Sequence, residues 1–372
     1  MYSKKSNMHI AVDGNEANVV HKVGVSVYTF RLLDYFRKQA NPDVRFTVFL
    51  KNPPHNDMPQ PSEFFSYEVV QGPVAWSQIF LPIRLYLHYF KGIRYHAFFS
   101  PAHYIPRFSP FRTVVTIHDL SYLFFPQEFL KKDLYQLTNW TRQAIEKSVA
   151  VIAVSKTTKK DIVREYGTPA DKVTVIYNGY EKTQNASASA KMKKSDPYFL
   201  YVGTVQPRKN LKFLIAAFAK FIQKHPSYRL IITGKKGWLS DDIEPYVASL
   251  NLKDSVSFPG YVSQEKKDEL YKGAAAFILP SLYEGFGIPL LEAMANKCPV
   301  LSSFKSSLPE VGGEACLYFD PEEQSDLVEK MELIATDPSL RKSLIQKGVE
   351  RVTLFSWDKT GEQTLSLLTS SS

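Results

Sequence analysis

The sequence predicts an α/β protein made of two parallel sheets. Three observations support this prediction. The chain has 372 residues, more than a single ordinary core accommodates. Short apolar runs alternate with longer amphipathic stretches almost from end to end. The alternation stops once, at the polar segment 181–197 (EKTQNASASAKMKKSDP), and then restarts, which indicates a linker between two domains.

The first half has the rhythm of successive βαβ units. Its predicted strands are rich in Val, Ile and Phe, as strands buried on both faces should be: Met8–Val12, Phe46–Leu50, Ala97–Ser100, Thr113–Ile117, Val149–Val154 and Val173–Ile176. Helical periods lie between them, at Val25–Lys38, Gln127–Lys147 and Thr157–Tyr166.

The second half repeats the design without an obvious sequence match to the first. Its predicted strands are Tyr198–Val202, Arg229–Thr233, Val256–Phe258, Ala275–Leu279 and Val300–Ser302. Its predicted helices are Leu211–Lys224, Gln264–Lys272, Pro289–Asn296 and Ser325–Ala335. We predict domains at residues 1–185 and 186–352. A last helix, over about 353–372, would place Leu354, Trp357, Thr360, Thr364 and Leu368 on one face.

Composition narrows the class of protein. No apolar run approaches the roughly 18 residues of a membrane span, and no signal peptide is recognised at the start. Cys298 and Cys316 form neither a disulfide framework nor a metal spacing, which favours the cytoplasm. Residues 1–185 carry 23 Lys and Arg against 15 Asp and Glu (23 − 15 = +8), out of a net charge of +9. This indicates either an anionic partner of the first half or charge for solubility.

The segment 280–299 (PSLYEGFGIPLLEAMANKCP) follows a buried strand and opens a helix near Pro289. Helix N-termini at the carboxyl edge of a parallel sheet bind phosphate, and Gly285 and Gly287 let a ligand approach the backbone. Carboxylates suit hydroxyl groups, so we assign Glu284 to a sugar and Glu292 to a ribose. The alternative is that they are a loop acid and a solvated acid of the first helical turns.

The segment 201–210 (YVGTVQPRKN) places two cations beside a helix N-terminus, where the dipole disfavours them. A buried strand runs into Gly203, and Arg208 and Lys209 follow. This conflict indicates a bound anion, and the pair can clamp a diphosphate and stabilise the charge that grows as it leaves. Two solvated side chains are the alternative.

Three weaker signals complete the candidate site. His118 ends a strand and can bond a sugar hydroxyl, although a structural histidine is the commoner case. Gly24 opens the first helix, without a complete GxGxxG or Walker motif around it. Tyr261 and Val262, in FPGYVS, can flank a nucleotide base, or the segment is a plain turn in which Ser263 caps the next helix.

Together these segments resemble the retaining glycosyltransferases of family 4. The family's E-x7-E pattern runs from Glu284 to Glu292, and it is accompanied in order by VGTVQPRKN, TIHDLSYLFFP, VIAVS, VIYNG and FPGYVS. The resemblance covers nearly the whole chain. It is to bacterial mannosyltransferase-like enzymes that build surface polysaccharides.

The resemblance implies the GT-B fold, with two Rossmann-like domains that face each other across a cleft. The first domain would bind the acceptor and the second the nucleotide-sugar donor, and the last helix would return to the first domain. Glu284 would contact the donor sugar, Glu292 the ribose, Arg208 and Lys209 the phosphates, and 285–287 (Gly, Phe, Gly) the sugar and diphosphate. His118 and Gly24 would contribute from the first domain.

The resemblance also implies the reaction. A hexose would pass, with retention at the anomeric carbon, from a GDP- or UDP-hexose to a glycan or lipid-linked acceptor. We expect no cofactor, and no required metal because Asp-x-Asp is absent.

Three other interpretations remain open at this stage. A GT-B sugar-nucleotide epimerase would consume its donor without an acceptor. A nucleic-acid-binding protein is disfavoured, because the basic charge is not gathered in a reader motif. The segment 76–95 (WSQIFLPIRLYLHYFKGIRY) is either a core helix or one that rests on anionic lipid, at the inner face of the plasma membrane.

Overall fold

The computed structural model describes residues 7–73, 75–181, 196–235, 237 and 242–370. The chain divides into two compact units. The first comprises Met1–Phe124, Phe129–Gly179 and Ser356–Ser372, and the second Phe125–Glu128 and Tyr180–Phe355. The predicted boundary at 185/186 lies outside the described residues, as does nearly all of the predicted linker.

The first unit is built on a parallel sheet of seven strands. The strands are β1 (Met8–Asp13), β2 (Val44–Leu50), β3 (Phe65–Val69), β4 (Ala97–Ser100), β5 (Thr113–Ile117), β6 (Ala150–Ala153) and β7 (Val173–Val175). Their order in the sheet is β3-β2-β1-β4-β5-β6-β7. The helices are α1 (Val25–Gln39), α2 (Phe80–Phe90), α3 (Ser121–Phe124), α4 (Lys131–Lys147), α5 (Lys156–Tyr166) and α13 (Trp357–Thr369).

The second unit repeats the design with six parallel strands, in the order β10-β9-β8-β11-β12-β13. The strands are β8 (Tyr198–Val202), β9 (Arg229–Thr233), β10 (Val256–Gly260), β11 (Ala276–Leu279), β12 (Val300–Ser303) and β13 (Cys316–Phe319). The helices are α6 (Leu211–Phe221), α7 (Ile243–Ser249), α8 (Gln264–Gly273), α9 (Ile288–Ala295), α10 (Leu308–Gly312), α11 (Gln324–Thr336) and α12 (Pro338–Val352). The predicted fold class, two Rossmann-like parallel-sheet domains, is confirmed.

The cores follow from the composition of the central strands. In the first unit Ile10 and Val12 of β1 are fully buried, and they share a cluster with Leu33 and Phe36 of α1 and Leu368 of α13. In the second unit Phe199 and Leu200 of β8 are likewise fully buried. Strands covered by helices on both faces need apolar side chains on both faces, which explains why these runs do not alternate.

Some predicted elements differ from those observed. The predictions omitted β3 and β13. The helix predicted from Gln127 begins at Lys131, after a separate 3-10 turn at Pro126–Glu128. Only Phe80–Phe90 of segment 76–95 is α-helical.

The C-terminal helix begins later than predicted. Leu354 precedes α13 and is 54% exposed, whereas Thr360, Thr364 and Leu368 are buried as expected. No helix among the described residues has the length and hydrophobicity required to cross a bilayer.

Candidate functional site

The candidate site of the second unit lies at the switch point of its sheet. Strands β8 and β11 are neighbours, and the chain runs outward from them in opposite directions, to β9 and β10 on one side and to β12 and β13 on the other. Ligands of open α/β sheets bind at the carboxyl ends of the two strands at such a point. The loop after β8 carries Gly203, Arg208 and Lys209, and the loop after β11 carries Glu284.

Lys209 and Glu284 form a direct ion pair between these two loops. The Lys209 Nζ lies 2.5 Å from Glu284 Oε1, and both side chains are 13% exposed. The Ser281 hydroxyl donates to the same oxygen at 2.7 Å. The loops are joined a second time, because Leu282 N–H donates to the Arg208 carbonyl at 2.9 Å. Two sequence-predicted catalytic candidates that lie 75 positions apart in the chain are therefore in contact.

Arg208 lies beside this pair and has acidic and amide partners of its own. Its guanidinium donates to the Gln206 side chain and lies 3.5 Å from Glu128 Oε2. Glu128 is 1% exposed. Burial raises the pKa of Glu128, and the nearby Arg208 opposes that rise. Sequence reasoning missed Glu128, because it follows the TIHDLSYLFFP motif and was assigned to the helix predicted from Gln127.

The loop between β11 and α9 is held by hydroxyl groups of a neighbouring loop. The Ser307 hydroxyl donates to the carbonyls of Glu284 and Phe286 at 2.8 and 2.9 Å, and the Ser306 hydroxyl accepts from Glu284 N–H at 3.1 Å. Phe286 is 4% exposed and packs edge-on against Phe355, so only its backbone is available to a ligand.

Gly285 and Gly287 complete this loop. Gly285 is half-buried, and Gly287 caps α9 with φ of 108°, a conformation that favours glycine. A Cβ at 287 would also lie 2.9 Å from a Leu308 methyl group. The first turn of α9 therefore begins next to the Glu284 loop; within it Leu290 N–H donates to the Gly287 carbonyl at 3.0 Å, and Pro289 has no N–H.

Glu292 has a separate set of partners. Lys267 Nζ lies 2.6 Å from Glu292 Oε1, and the Tyr271 hydroxyl donates to Oε2 at 3.0 Å. Both partners lie on α8, four residues apart and therefore on one helix face. Burial and the Glu292 charge raise the pKa of Tyr271 well above its usual value. Lys267 and Tyr271 were not predicted, because nothing in the local sequence of α8 distinguishes them.

Three glycines line the carboxyl edge of β8, β9 and β10. Gly203, Gly234 and Gly260 follow or end these strands, with φ of 156°, 143° and 75°. A Cβ on Gly234 would lie 2.0 Å from the Gly203 carbonyl oxygen. The edge is thus backbone surface that a ligand can approach closely. Sequence reasoning named Gly203 but missed Gly234.

Tyr261 and Val262 follow the same edge. Tyr261 is 61% exposed, and the Lys235 ammonium lies 5.5 Å from its ring centroid. Val262 is half-buried. Ser263 caps α8, since its hydroxyl accepts from Lys266 N–H at 3.3 Å, as the turn interpretation predicted.

The other two predicted residues belong to the first unit. His118 follows β5, and its Nε2 lies 2.8 Å from the Pro101 carbonyl oxygen. A carbonyl only accepts, so Nε2 carries the proton and Nδ1 is the acceptor. Burial, with His103 nearby, lowers the pKa of His118 to about 4, which makes the ring neutral at pH 7. Gly24 is the exposed N-cap of α1, with φ of 52° and open space around it.

The structure therefore brings Arg208, Lys209, Glu284 and 285–287 together, and it gives Glu292 its own partners on α8. Within the described ranges, no group of three or more His, Cys, Asp or Glu side chains has a metal-binding arrangement.

Comparisons with known proteins agree with this geometry. Residues 23–184 match the family model Glycosyltransferase Family 4, and residues 182–351 match Glycosyl transferases group 1. The O-antigen chain mannosyltransferase B of Escherichia coli is 30% identical over 285 residues, which cover 74% of each chain.

Solved structures share the fold. Sucrose-phosphate synthase from Thermosynechococcus elongatus superposes with a TM-score of 0.75 at 22% identity, over 97% of this chain and 98% of that one. The structure of Anabaena HepE in complex with UDP and glucose superposes with a TM-score of 0.70 at 17% identity, over 97% of this chain and 99% of that one. The matches to both halves and the two parallel sheets lead to one conclusion: this chain belongs to glycosyltransferase family 4 and is a glycosyltransferase of the GT-B type.

Proposed function

We propose that the chain transfers a hexose, with retention, from a nucleotide diphosphate hexose to a hydroxyl of a glycan or lipid-linked acceptor. The observation that carries this proposal is the contact of Lys209 with Glu284 at the switch point of the second sheet. The relative with 30% identity is a mannosyltransferase of O-antigen chains, which supports mannose as the sugar and polysaccharide synthesis as the setting.

In this proposal the ion pair separates when donor binds. The diphosphate carries more charge than one carboxylate, so the Lys209 ammonium turns to a phosphate oxygen. Arg208, already beside Lys209, adds a bidentate donor, and the N-terminus of α9 adds the positive end of its dipole. The Glu284 carboxylate, released from Lys209, accepts hydrogen bonds from hydroxyls of the donor sugar.

The same groups assist departure of the nucleoside diphosphate. The anomeric C–O bond breaks, its electron pair goes to the phosphate oxygen, and Arg208 and Lys209 stabilise the growing negative charge. The acceptor oxygen then forms its bond to the anomeric carbon from the face that the diphosphate leaves, and the acceptor proton passes to the departing phosphate oxygen. No residue of the chain has to act as a nucleophile in this scheme.

The test is direct. Purified full-length chain is screened by thermal shift against GDP-mannose, UDP-glucose, UDP-galactose and ADP-glucose, and the hit is incubated with glycan acceptors. We expect one donor to raise the melting temperature by mass action. We also expect the product's anomeric NMR signal to show the donor's configuration. An inverted product would exclude retention, and consumption of donor without acceptor would indicate an epimerase. Unchanged turnover in EDTA would support independence from metal.

We also propose peripheral binding to an anionic membrane, through the outer face of α2. Ile83, Leu87 and Phe90 are 55, 44 and 78% exposed, whereas Leu81 and Leu85 on the opposite face are fully buried. With Ile79 and Phe108 these side chains border a shallow apolar cavity of about 550 Å³. Cations lie at its margin, since Lys147 is 4.8 Å from the Phe108 ring and Arg94 is 4.0 Å from the Tyr89 ring. Apolar residues bordered by cations suit an anionic lipid surface.

Co-sedimentation with vesicles tests this second proposal. We expect binding to phosphatidylglycerol vesicles and none to phosphatidylcholine vesicles. Phe90→Glu should abolish the binding. Leu130→Glu, which alters a side chain that is 73% exposed elsewhere in the first unit, should not. Equal binding of the Phe90→Glu variant would refute the proposal.

A further inference from the structure

A buried carboxylate lies beside the cations of the second unit's site. Glu128 ends the 3-10 turn Pro126–Glu128, in a segment that packs with the second unit. Its side chain is 1% exposed, and its Oε2 atom lies 3.5 Å from Arg208 Nη1. A charge-assisted hydrogen bond is shorter, at about 2.7–2.9 Å. Oε2 has no hydrogen bond to any residue in the described part of the chain, so its charge depends on the guanidinium.

The turn that carries Glu128 is anchored next to Glu284. The ring centroids of Phe125 and Tyr283 lie 6.4 Å apart, and Tyr283, which is 7% exposed, directly precedes Glu284 in the chain. The Glu128 N–H donates to the Phe125 carbonyl at 3.0 Å and closes the turn. A packed aromatic contact therefore fixes the place of the Glu128 carboxyl group relative to the loop after β11.

The charge of Glu128 requires a cation, because a buried carboxylate without a partner is costly. Burial raises the pKa of Glu128, and the charges of Arg208 and Lys209 oppose that rise. Lys209 already pairs with Glu284 at 2.5 Å. Arg208 is therefore the cation that serves Glu128, and the two cations of the site each face an acid of their own.

Arg208 uses a single nitrogen for these contacts. Its Nη1 donates to the Gln206 side chain and faces Glu128. Among the residues that the structure describes, Nε and Nη2 have neither a hydrogen bond nor an ion pair. These two nitrogens form one edge of the guanidinium, which can donate side by side to two oxygens of a phosphate. The Arg208 side chain is 16% exposed, so it is not closed off from a ligand.

We propose that Glu128 is a positioning residue of the donor site. Its carboxylate, together with Gln206, holds Arg208 Nη1, so that the Nε–Nη2 edge is presented to the diphosphate before the donor arrives. An arginine side chain has many rotamers, and one that is already ordered costs less to immobilise on binding and in the transition state. This role rests on the proposed function, and it adds a residue that none of the sequence motifs marks.

Two other roles for Glu128 lead to different results. If the carboxylate only repelled the diphosphate, its neutralisation would tighten nucleotide binding. If it only held the turn in place, its removal would lower stability and activity whether or not Arg208 is present. A positioning role instead requires that the effect of Glu128 on turnover disappears when Arg208 is absent.

A double-mutant cycle measured with the donor that the wild type turns over tests this requirement. We expect Glu128→Gln to lower kcat about tenfold and to change the donor KM less than about threefold, because the neutral amide holds Nη1 more weakly. Glu128→Asp, which keeps the charge, should retain more activity. In an Arg208→Met background, Glu128→Gln should change kcat less than about twofold. Glu332→Gln is the matched control, since Glu332 is an acid of the same unit that pairs with the exposed Lys224.

A second experiment tests the restraint without a donor. The Arg208 Nε–Hε signal, identified by its loss in Arg208→Met, is followed by ¹⁵N relaxation in the full chain and during titration with inorganic pyrophosphate. We expect an ordered group that shifts on titration in the wild type. In Glu128→Gln we expect a more mobile group and an affinity for pyrophosphate about threefold or more weaker.

The outcomes separate this inference from the proposed function. Equal kcat losses for Glu128→Gln in both backgrounds, tighter pyrophosphate binding by that variant, or unchanged mobility of Arg208 would each overturn the positioning role. An Arg208 signal that pyrophosphate does not shift would overturn it as well. If pyrophosphate shifts the signal and Glu128→Gln weakens that response, but the wild type turns over no sugar nucleotide, the proposed function fails and the positioning of Arg208 stands.

Discussion

At the residue scale, Lys209 is the group on which the donor site depends most directly. Its ammonium is paired with Glu284 and is 13% exposed. Removal of one preorganised donor to a developing oxyanion costs about 10²–10³ in kcat. We therefore expect Lys209→Met to lower kcat by that factor, with Lys209→Arg retaining part of the activity. Lys212→Met is the control, because Lys212 is 51% exposed and pairs with Asp242 in solvent. Equal activity of Lys209→Met and wild type would contradict the assignment.

Glu292 offers a residue-scale test of a different contact. Its carboxylate is fixed by Lys267 and Tyr271, and we expect its remaining lone pairs to accept from the ribose. In isothermal titration calorimetry, Glu292→Gln should weaken binding of the nucleoside diphosphate by about tenfold. The 2′,3′-dideoxy analogue should bind the variant and the wild type alike, because it lacks the hydroxyls.

The Glu292 experiment has a matched control on α8. Glu269→Gln alters an acid that pairs with Lys266 in solvent at 3.0 Å, and it should leave both affinities unchanged. If Glu292→Gln weakened the analogue as much as the natural nucleotide, the carboxylate would be structural and not a ribose ligand.

Asp13 couples stability to pH. Burial raises its pKa from 3.8 to about 7, opposed by the Asn15 N–H and assisted by Glu16. Asp13 and Lys51 both line a cavity of the first unit. The unfolded chain loses this proton near pH 3.8, whereas the folded chain keeps it until about pH 7. The contribution of Asp13 to the free energy of unfolding is therefore complete below pH 3.8, declines as pH rises, and is lost above about pH 7. Asp13→Asn, which cannot ionise, should therefore gain stability relative to wild type as pH rises, by up to about 4 kcal/mol.

Urea denaturation at pH 5 and pH 8 checks this prediction. The difference in unfolding free energy between Asp13→Asn and wild type should increase from the lower to the higher pH. Asp34→Asn is the control, because it removes a solvent-side pair with Lys38. Its difference in unfolding free energy from the wild type should change by no more than about 0.5 kcal/mol between the two pH values. A constant difference for Asp13→Asn would mean that the carboxyl titrates as it does in the unfolded chain.

Residues show clearly what sequence could and could not provide. Glu284, Lys209 and Gly203 were recognisable because each follows a buried strand in a motif. The contact between Lys209 and Glu284 could be expected only because the carboxyl ends of neighbouring parallel strands meet at one edge of a sheet. Lys267 and Glu128 were not recognisable, because their roles depend on which elements pack beside Glu292 and Arg208, and strand order is not encoded locally.

At the element scale, the two strands that the sequence analysis omitted share a position in the fold. Both omitted strands, β3 and β13, are edge strands of their sheets. Ser66 and Val69 of β3 are exposed, so the run FSYEV lacks the continuous apolar character that identified the central strands. Central strands, buried on both faces, were predicted almost to the residue.

The glycines at the ends of β9 and β10 provide a matched pair for an element-scale prediction. Gly234 and Gly260 both have positive φ, but an added Cβ would lie 2.0 Å from the Gly203 carbonyl at Gly234 and meets nothing within 4 Å at Gly260. Gly260→Ala should cost about 1–2 kcal/mol of backbone strain alone. Gly234→Ala should cost clearly more, because backbone of β8 must move. Chemical denaturation of both variants measures the difference, and equal losses would contradict close packing of this edge.

At the scale of the whole molecule, the two units repeat one architecture, but the side chains at their two switch points differ in charge. In the second unit, cations and a helix N-terminus meet at β8 and β11. In the first, acids and aromatic rings meet at β1 and β4. The uneven net charge of the sequence indicated either an anionic partner of the first half or charge for solubility. The cavity there is nevertheless lined by more acids than cations, so the excess positive charge belongs to other surfaces of that unit, including the margin of the α2 face.

Hydrogen–deuterium exchange measured on the full chain can locate the bound donor. The nucleoside diphosphate should protect the loops after β8 and β11 and the first turn of α9, since backbone N–H groups are the expected phosphate ligands. Because a ligand stabilises the local structure that it contacts, these segments should be protected more than the rest of the second unit. Protection of the segments after β1 and β4 by the nucleotide, with none after β8 and β11, would contradict the donor site proposed for the second unit.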